Sequence, residues 1–231
     1  YRETKEQTHV LAAGLLKLGV KKGDKVALLS EGRNAWIIGE LAILHTGAVN
    51  VPLSIKLEES NDLIFRLVHS EAKYIMVSGS QLKKIRTIAN ALPDIKSIII
   101  FDEQADYEPN EISLTQLKQW GKDFLLKNPD AVINSSLSIQ ADDIANISYT
   151  SGTTPDPKGI MLTHRNYTAN VEQALTLMTI PPTFRTLIIL PLDHCFAHVA
   201  GFYSFMASGA SVGTVQNGKT GLETLKNIPA N

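Results

Sequence analysis

Short apolar runs recur along this chain, separated by stretches with helical spacing. Residues 2–18 place Val10, Leu11, Leu15, Leu16 and Leu18 in a largely helical pattern that Gly19 and Gly23 stop. Lys25 to Leu29 is a β-type run. Asn34 is expected to cap a helix through about His45, with Trp36, Ile37, Leu41 and Leu44 on one face. Ala48 to Val51 reads as a strand, and Asn61 to Ser70 as a helix with Leu63, Ile64 and Leu67 inward. Tyr74 to Val77, Ser97 to Phe101, Ile144 to Tyr149 and Leu187 to Leu190 complete the strands. The intervening helices are expected at about 79–91, 113–127, 164–178 and 194–207. Continuous apolar strands between helices predict an α/β fold: a mostly parallel sheet with helices on both faces.

Two segments break the pattern. Residues 102–112 are acidic, and 128–143 are polar with Pro129, so both are expected as exposed connections. The cluster Asp102, Glu103, Asp106 and Glu108 has irregular spacing and reads as a solvated loop rather than a cation site.

Composition narrows the function classes. The chain has 231 residues, 44% of them hydrophobic, enough for a sizeable core in one large domain or two small ones. A formal net charge of −1 gives no bulk attraction to nucleic acid or to an anionic membrane. No apolar run approaches the roughly 18 residues of a membrane span. Cys195 is the single cysteine, so no internal disulfide forms; it reads as a small buried hydrophobe in a reducing, cytoplasmic setting. The chain opens on tyrosine inside a helical pattern and stops at Asn231 in mid-connection, so we expect a piece of a longer enzyme.

The chemistry concentrates between Tyr149 and Gly159, which read Tyr-Thr-Ser-Gly-Thr-Thr-Pro-Asp-Pro-Lys-Gly directly after an apolar run. Hydroxyls and bare backbone N–H groups make a nest for phosphate oxygens, and Lys158 adds a mobile positive charge. The loop is expected to leave a strand's C-terminal end, where α/β proteins place ligands, and to lead into a helix starting near His164. It is not a Walker P-loop, because Pro157 precedes Lys158 and Gly159 follows it. No Gly-x-Gly-x-x-Gly follows any strand, and no Gly-x-Ser-x-Gly elbow supports a hydrolase built on Asp193 and His194.

This stretch resembles the phosphate-binding signature of the adenylate-forming superfamily: acyl-CoA synthetases, firefly-type luciferases and peptide-synthetase adenylation domains. Tyr149, Thr150, Ser151, Gly152, Thr153, Thr154, Pro157, Lys158 and Gly159 match its pattern, and Ile160-Met161-Leu162-Thr163-His164 is similar to its continuation. Gly47-Ala48-Val49-Asn50-Val51-Pro52-Leu53 is similar to its Gly-Ala-x-x-x-Pro-Leu turn, and Leu190-Pro191-Leu192-Asp193-His194 to its Leu-Pro-Leu-x-His segment. Tyr1-Arg2-Glu3 resembles the end of its opening motif, and all four segments stand in family order. One position departs. Where the family has glycine stands Pro155, which fixes φ and offers no N–H to a phosphate.

The resemblance implies a layered αβαβα enzyme of which this chain is the N-terminal AMP-binding portion. About 1–143 would form a first α/β part, and about 144–231 the phosphate loop and the start of a second. It implies ATP-dependent activation of a carboxylic acid, most like the long-chain fatty-acyl type, to an acyl-adenylate and then to a coenzyme A thioester. Thr150, Ser151, Thr153 and Thr154 would hold the β- and γ-phosphates, Gly152 would allow close approach, and Lys158 would neutralise charge. Mg2+ would accompany the triphosphate. His194 would sit near the reacting carboxylate. The family's magnesium glutamate, ribose aspartate and adenylating lysine come later in the chain, so residues 1–231 alone are expected to lack ligase activity. The resemblance leaves peripheral membrane contact of the longer protein, its oligomeric state and its acid chain length open. A nucleotide-binding module without catalysis is the alternative that Pro155 brings in, and aryl-CoA ligase or peptide-synthetase chemistry is another.

Other candidates have plainer readings. His194 and His198, four apart, would share a helix face and could reach one zinc, but a structural zinc normally takes four ligands. His164 reads as structural, and Trp36 and Trp120 as packing. Gly201, Gly209 and Ala210 either let an apolar helix lie close on the sheet or admit an acyl chain.

Overall fold

The computed structural model describes residues 1–150 and 157–214. Its centre is a seven-stranded sheet: β1 (Lys25–Leu29), β2 (Val49–Leu53), β3 (Ala72–Val77), β4 (Ser97–Ile100), β5 (Glu111–Ser113), β6 (Ile144–Thr150) and β7 (Lys158–Thr163). The spatial order is β5-β4-β3-β1-β2-β6-β7, and every neighbouring pair is parallel except β6 with β7. The expected mostly parallel α/β sheet is therefore present.

Strand alternation divides the interior into two cores. Val26 and Leu28 of β1, Tyr74 and Met76 of β3 and Ile99 of β4 face one side, under α1 (Arg2–Leu18), α2 (Asn34–His45) and α5 (Leu114–Lys127). Ala27, Leu29, Ile75, Val77, Ile98 and Ile100 face the other, under α3 (Ser60–His69) and α4 (Leu82–Ile88). This two-face covering explains the near-continuous apolar strands. Each Val, Leu, Ile or Met side chain so buried contributes about 1.5–3 kcal/mol relative to exposure. The chain runs from β1 outward to β2, crosses back over β1 to β3, β4 and β5, and returns through α5 and α6 (Ala131–Leu137) to β6. That reversal of direction changes the face on which the crossover helices lie.

Helices α1 and α5 pack unusually close. A Cβ on Gly121 would stand 2.0 Å from the Val10 carbonyl oxygen, and one on Gly14 would stand 2.4 Å from that of Leu117. The two glycines let backbone meet backbone and admit no side chain.

After β7 come α7 (His164–Leu177), β8 (Arg185–Ile188), a π-helical segment (Ala197–Tyr203), α8 (Ser204–Ala207) and β9 (Ser211–Thr214). Strands β8 and β9 pair in parallel as a separate two-stranded sheet.

Several expectations need correction. Asn34 lies inside α2, and the residue before the helix is Arg33, with no side-chain cap. Residues 128–143 contain α6, which packs on α1 and α2. The acidic connection ends in edge strand β5, where Glu111 is buried and takes a bidentate hydrogen bond from Arg86 at 2.9 and 2.6 Å. Asp102 is not merely solvated: Arg33 donates to both its oxygens at 2.8 Å, and the Gly79 N–H to one of them. Strand β8 ends at Ile188, leaving Ile189 and Leu190 exposed. Cys195 is exposed rather than buried.

Candidate functional site

Strand β6 carries the loop, and its own side chains show how it is held. Ala145 and Ile147 are buried apolar residues. Asn146 and Ser148 are buried and polar, and Ser148 Oγ donates to Asn146 Oδ1 at 2.8 Å. Asn146 lies opposite Asn50 of β2. Tyr149 is anchored sideways on α3: its hydroxyl donates to the Arg66 carbonyl at 3.2 Å and lies 2.9 Å from His69 Nδ1. A phenol has one proton, so with the carbonyl accepting it, His69 Nδ1 is the donor in the second bond. The Arg66 guanidinium also sits 5.7 Å from the Tyr149 ring centre. Burial pushes the Tyr149 phenol above its ordinary range, which keeps that proton in place.

Beyond Thr150 the next described strand, β7, pairs antiparallel with β6. The loop does not run from strand into helix as the sequence reading expects; it joins β6 to β7 as an antiparallel hairpin, and α7 follows only after that. The register sets Thr150 opposite Lys158 and Tyr149 opposite Gly159. Thr150 and Lys158 are both exposed, at the C-terminal edge of the parallel strands. Ser151, Gly152, Thr153, Thr154 and Pro155 lie outside the described residues. What the structure places are the two ends of the loop, one across from the other.

Helix α7 starts where the hairpin ends because Thr163 and Asn166 cap it reciprocally: Thr163 Oγ1 accepts from the Asn166 N–H at 3.2 Å, and Asn166 Oδ1 from the Thr163 N–H at 2.9 Å. His164 therefore lies beside the Ile144 end of β6, opposite the loop. With His45 it borders an open cleft of about 380 Å³ there. That placement separates it from the loop ends at Thr150 and Lys158.

His194 occupies the turn after β8. Its N–H donates to the Pro191 carbonyl at 3.3 Å, and its carbonyl accepts from the Ala197 N–H at 2.9 Å. Its side chain is exposed, whereas His198 is completely buried, so the two histidines do not share an accessible face. Among the described residues no group of three or more His, Cys, Asp or Glu side chains comes together, and none is assigned to a metal.

Sequence reasoning missed the groups that fix this region from within. Arg66 and His69 hold Tyr149. Glu40 of α2 is 1% exposed; its Oε1 accepts from Asn50 Nδ2 at 3.1 Å and lies 3.7 Å from His198 Nδ1. Burial pushes the Glu40 carboxyl up, against the pull of His198, Tyr203 and Asn50. The one available signal was a carboxylate amid apolar residues, Asn-Ala-Trp-Ile-Ile-Gly-Glu-Leu-Ala-Ile-Leu, since such a group is almost never buried without a partner.

The model of the family described as AMP-binding enzyme matches residues 1–229. The chain is 29% identical over its whole length to chalcone synthase cfoA of Aspergillus candidus, 8% of which it covers. It is 30% identical over 216 residues to the long-chain-fatty-acid–CoA ligase FadD15 of Mycobacterium tuberculosis, with 90% of this chain and 34% of that protein covered. Among solved structures, it resembles the anthranilate CoA ligase AuaEII in complex with anthranoyl-AMP at TM-score 0.84 and 21% identity, over 97% of this chain and 41% of that one. ATP-bound MatB from Rhodopseudomonas palustris gives TM-score 0.76 and 22% identity, over 98% and 42%. At these identities the structural likenesses establish the fold. The chain spans well under half the length of these relatives.

Proposed function

This chain belongs to the AMP-binding enzyme family, and from that premise we propose that it supplies the triphosphate-holding part of an enzyme that activates a carboxylic acid with ATP. The observation that carries the reading is the β6–β7 hairpin. It brings Thr150 and Lys158 together at the strands' C-terminal edge, on either side of a Ser/Thr/Gly-rich tip. Activation joins an acid oxygen to the α-phosphorus and expels pyrophosphate. Negative charge must be held while two anions meet, which calls for oriented donors more than for a protein nucleophile. Thr150, Ser151, Thr153 and Thr154 would donate to the β- and γ-phosphate oxygens, Gly152 would let the backbone approach, and Lys158 would neutralise the departing pyrophosphate. His194 would face the carboxylate from the neighbouring turn.

Magnesium and coenzyme A belong to the proposed reaction of the longer protein, and no residue described here is assigned to either. A long-chain fatty acid is the proposed substrate, supported by the FadD15 likeness. An aryl acid is the alternative that the test below compares, since the anthranilate ligase shares the fold. No helix among the described residues is long and apolar enough to cross a membrane.

The test is carboxylic-acid-dependent ATP–pyrophosphate exchange by the full-length protein, with fatty and aryl acids compared. The triple substitution T150A/S151A/T153A is expected to lower exchange by about a hundredfold or more, since each lost donor to a developing anion costs about 10²–10³ in favourable cases. Unchanged ATP affinity and exchange in that variant would refute the reading.

A further inference from the structure

The π-helical segment does more than continue a helix. π-helical turns are rare and concentrate at functional sites. This one carries His198 into a cage built from two other elements, Glu40 and Trp36 of α2 and Tyr167 of α7, with Asn50 of β2 holding Glu40 from behind. The His198 ring lies 5.4 Å from that of Trp36 and 5.9 Å from that of Tyr167, centre to centre. Every one of these residues is buried.

The hydrogen-bond partners settle which ring nitrogen carries the proton. His198 Nε2 lies 2.5 Å from the Leu192 carbonyl oxygen. A carbonyl accepts only, so Nε2 is protonated and donates. In the neutral ring Nδ1 is then an acceptor, and the Tyr167 hydroxyl, 3.1 Å away, donates to it. Burial pushes the Tyr167 phenol strongly up, so its proton is always available. Glu40 Oε1 at 3.7 Å from Nδ1 stands behind this bond rather than replacing it.

The acceptor, Leu192, sits inside the turn that presents His194. Its side chain is buried in the first core and lies within 3.6 Å of where a Cβ on Gly32 would be. The turn is thus clamped twice, by a side chain in the core and by its carbonyl on His198. Residues on either side of Leu192 have no comparable hold: Leu190 and Phe196 are exposed.

We infer that His198 is a positioning residue for acid activation: its Nε2–H bond to the Leu192 carbonyl, with Tyr167 behind it, fixes the Pro191–His194 turn and so the direction from which His194 meets the carboxylate. This rests on the functional reading above. His198 touches no reacting atom and acts through His194.

The experiment uses the full-length protein and acid-dependent pyrophosphate exchange. H198A is expected to lower kcat/KM for the acid about tenfold while KM for ATP moves less than about twofold, the signature of a misplaced acid-side group. H198Q, whose side-chain amide can still donate to the carbonyl, is expected to recover to within about threefold of wild type. H194A is expected to cost much less in the H198A background than alone, because the two act as one unit. Equal losses toward ATP and acid, additive effects of the two substitutions, or H198Q no better than H198A would each overturn the inference. If H198A does not fold, Y167F carries the same cycle with H194A, because it removes the hydroxyl that holds His198 Nδ1. If the wild-type protein shows no exchange at all, the functional reading fails independently. The bonding is then read by ¹⁵N NMR of the His198 ring: the Nε2–H form supports the clamp, and the Nδ1–H form removes it.

Discussion

The two halves of this molecule bury different things. Around β1 to β5 the interior is mostly apolar, with Glu40, Asn50 and Glu111 among its buried polar exceptions, and the helices meet by close approach, with α1 and α5 touching backbone to backbone at Gly14 and Gly121. From α7 onward apolar Ile188, Leu192 and Phe202 share the interior with a phenol, an imidazole and a hydroxyl, Tyr167, His198 and Ser204, and Tyr203 packs beside them partly buried. Apolar packing is tolerant of direction as long as volume is filled, whereas hydrogen bonds fix direction and cost free energy when left unmade. The first half is therefore built to be stable, and the second to point.

The sharpest way to break this contrast is Gly121→Ala. A methyl at 2.0 Å from a backbone oxygen forces α1 and α5 apart. We expect a loss of about 3 kcal/mol, lowering the melting temperature by about 6–12 °C, as calorimetry would record. A melting point within a degree or two of wild type would mean that the helices are not in such contact.

Glu40→Gln, on α2, probes the polar contacts that reach across to His198, with a smaller effect. Folding raises the Glu40 pKa, so its contribution is complete below the unfolded carboxylate value, about 4.3, and declines as pH rises above it. Wild type is thus expected to lose melting temperature relative to E40Q between pH 4 and 8. The opposite slope would identify an ionised Glu40 paired with a protonated His198.

The smallest effect belongs to Asp102→Asn. Arg33 and the Gly79 N–H hold the Asp102 carboxyl below its usual range, so its stabilisation is present above about pH 3.9 and disappears as pH falls through the lowered value. The group is partly exposed and its ion pair is screened, so D102N should flatten the acid limb of the stability curve only slightly.

The same contrast governs what could be read in advance. Strands β1, β3 and β4 and helices α1, α3 and α5 were legible because burial on both faces or on one stripe leaves a period in the sequence. Strand β7 was not, because Ile160 and Met161 are exposed and Lys158-Gly-Ile-Met-Leu-Thr sits at the sheet edge, so no alternation marks it. Strand β9, Ser-Val-Gly-Thr, carries too few apolar residues to stand out. Helix α6 was hidden by its serines, with Val132 its sole buried residue. At the site, the hydroxyl-rich motif was legible and carries the chemistry proposed above, but the hairpin of β6 and β7 and the anchors Arg66 and His69 were not. Polar groups meeting across distant elements leave no spacing to detect. His198 illustrates this best: its four-residue separation from His194 pointed to a shared face, while its partners on α2 and α7 were invisible.

Strand β6 joins the sheet beside β2 through the pairing of Asn50 with Asn146, a closure that spans strands β3 to β5 and helices α3 to α6. Such distant pairings carry a large loop-closure entropy and form slowly. The β6–β7 pairing, and with it the triphosphate grip proposed for its loop, should accordingly be among the last parts to form during refolding. A nascent or half-collapsed polypeptide would then ignore ATP, and nucleotide capture would report completed maturation.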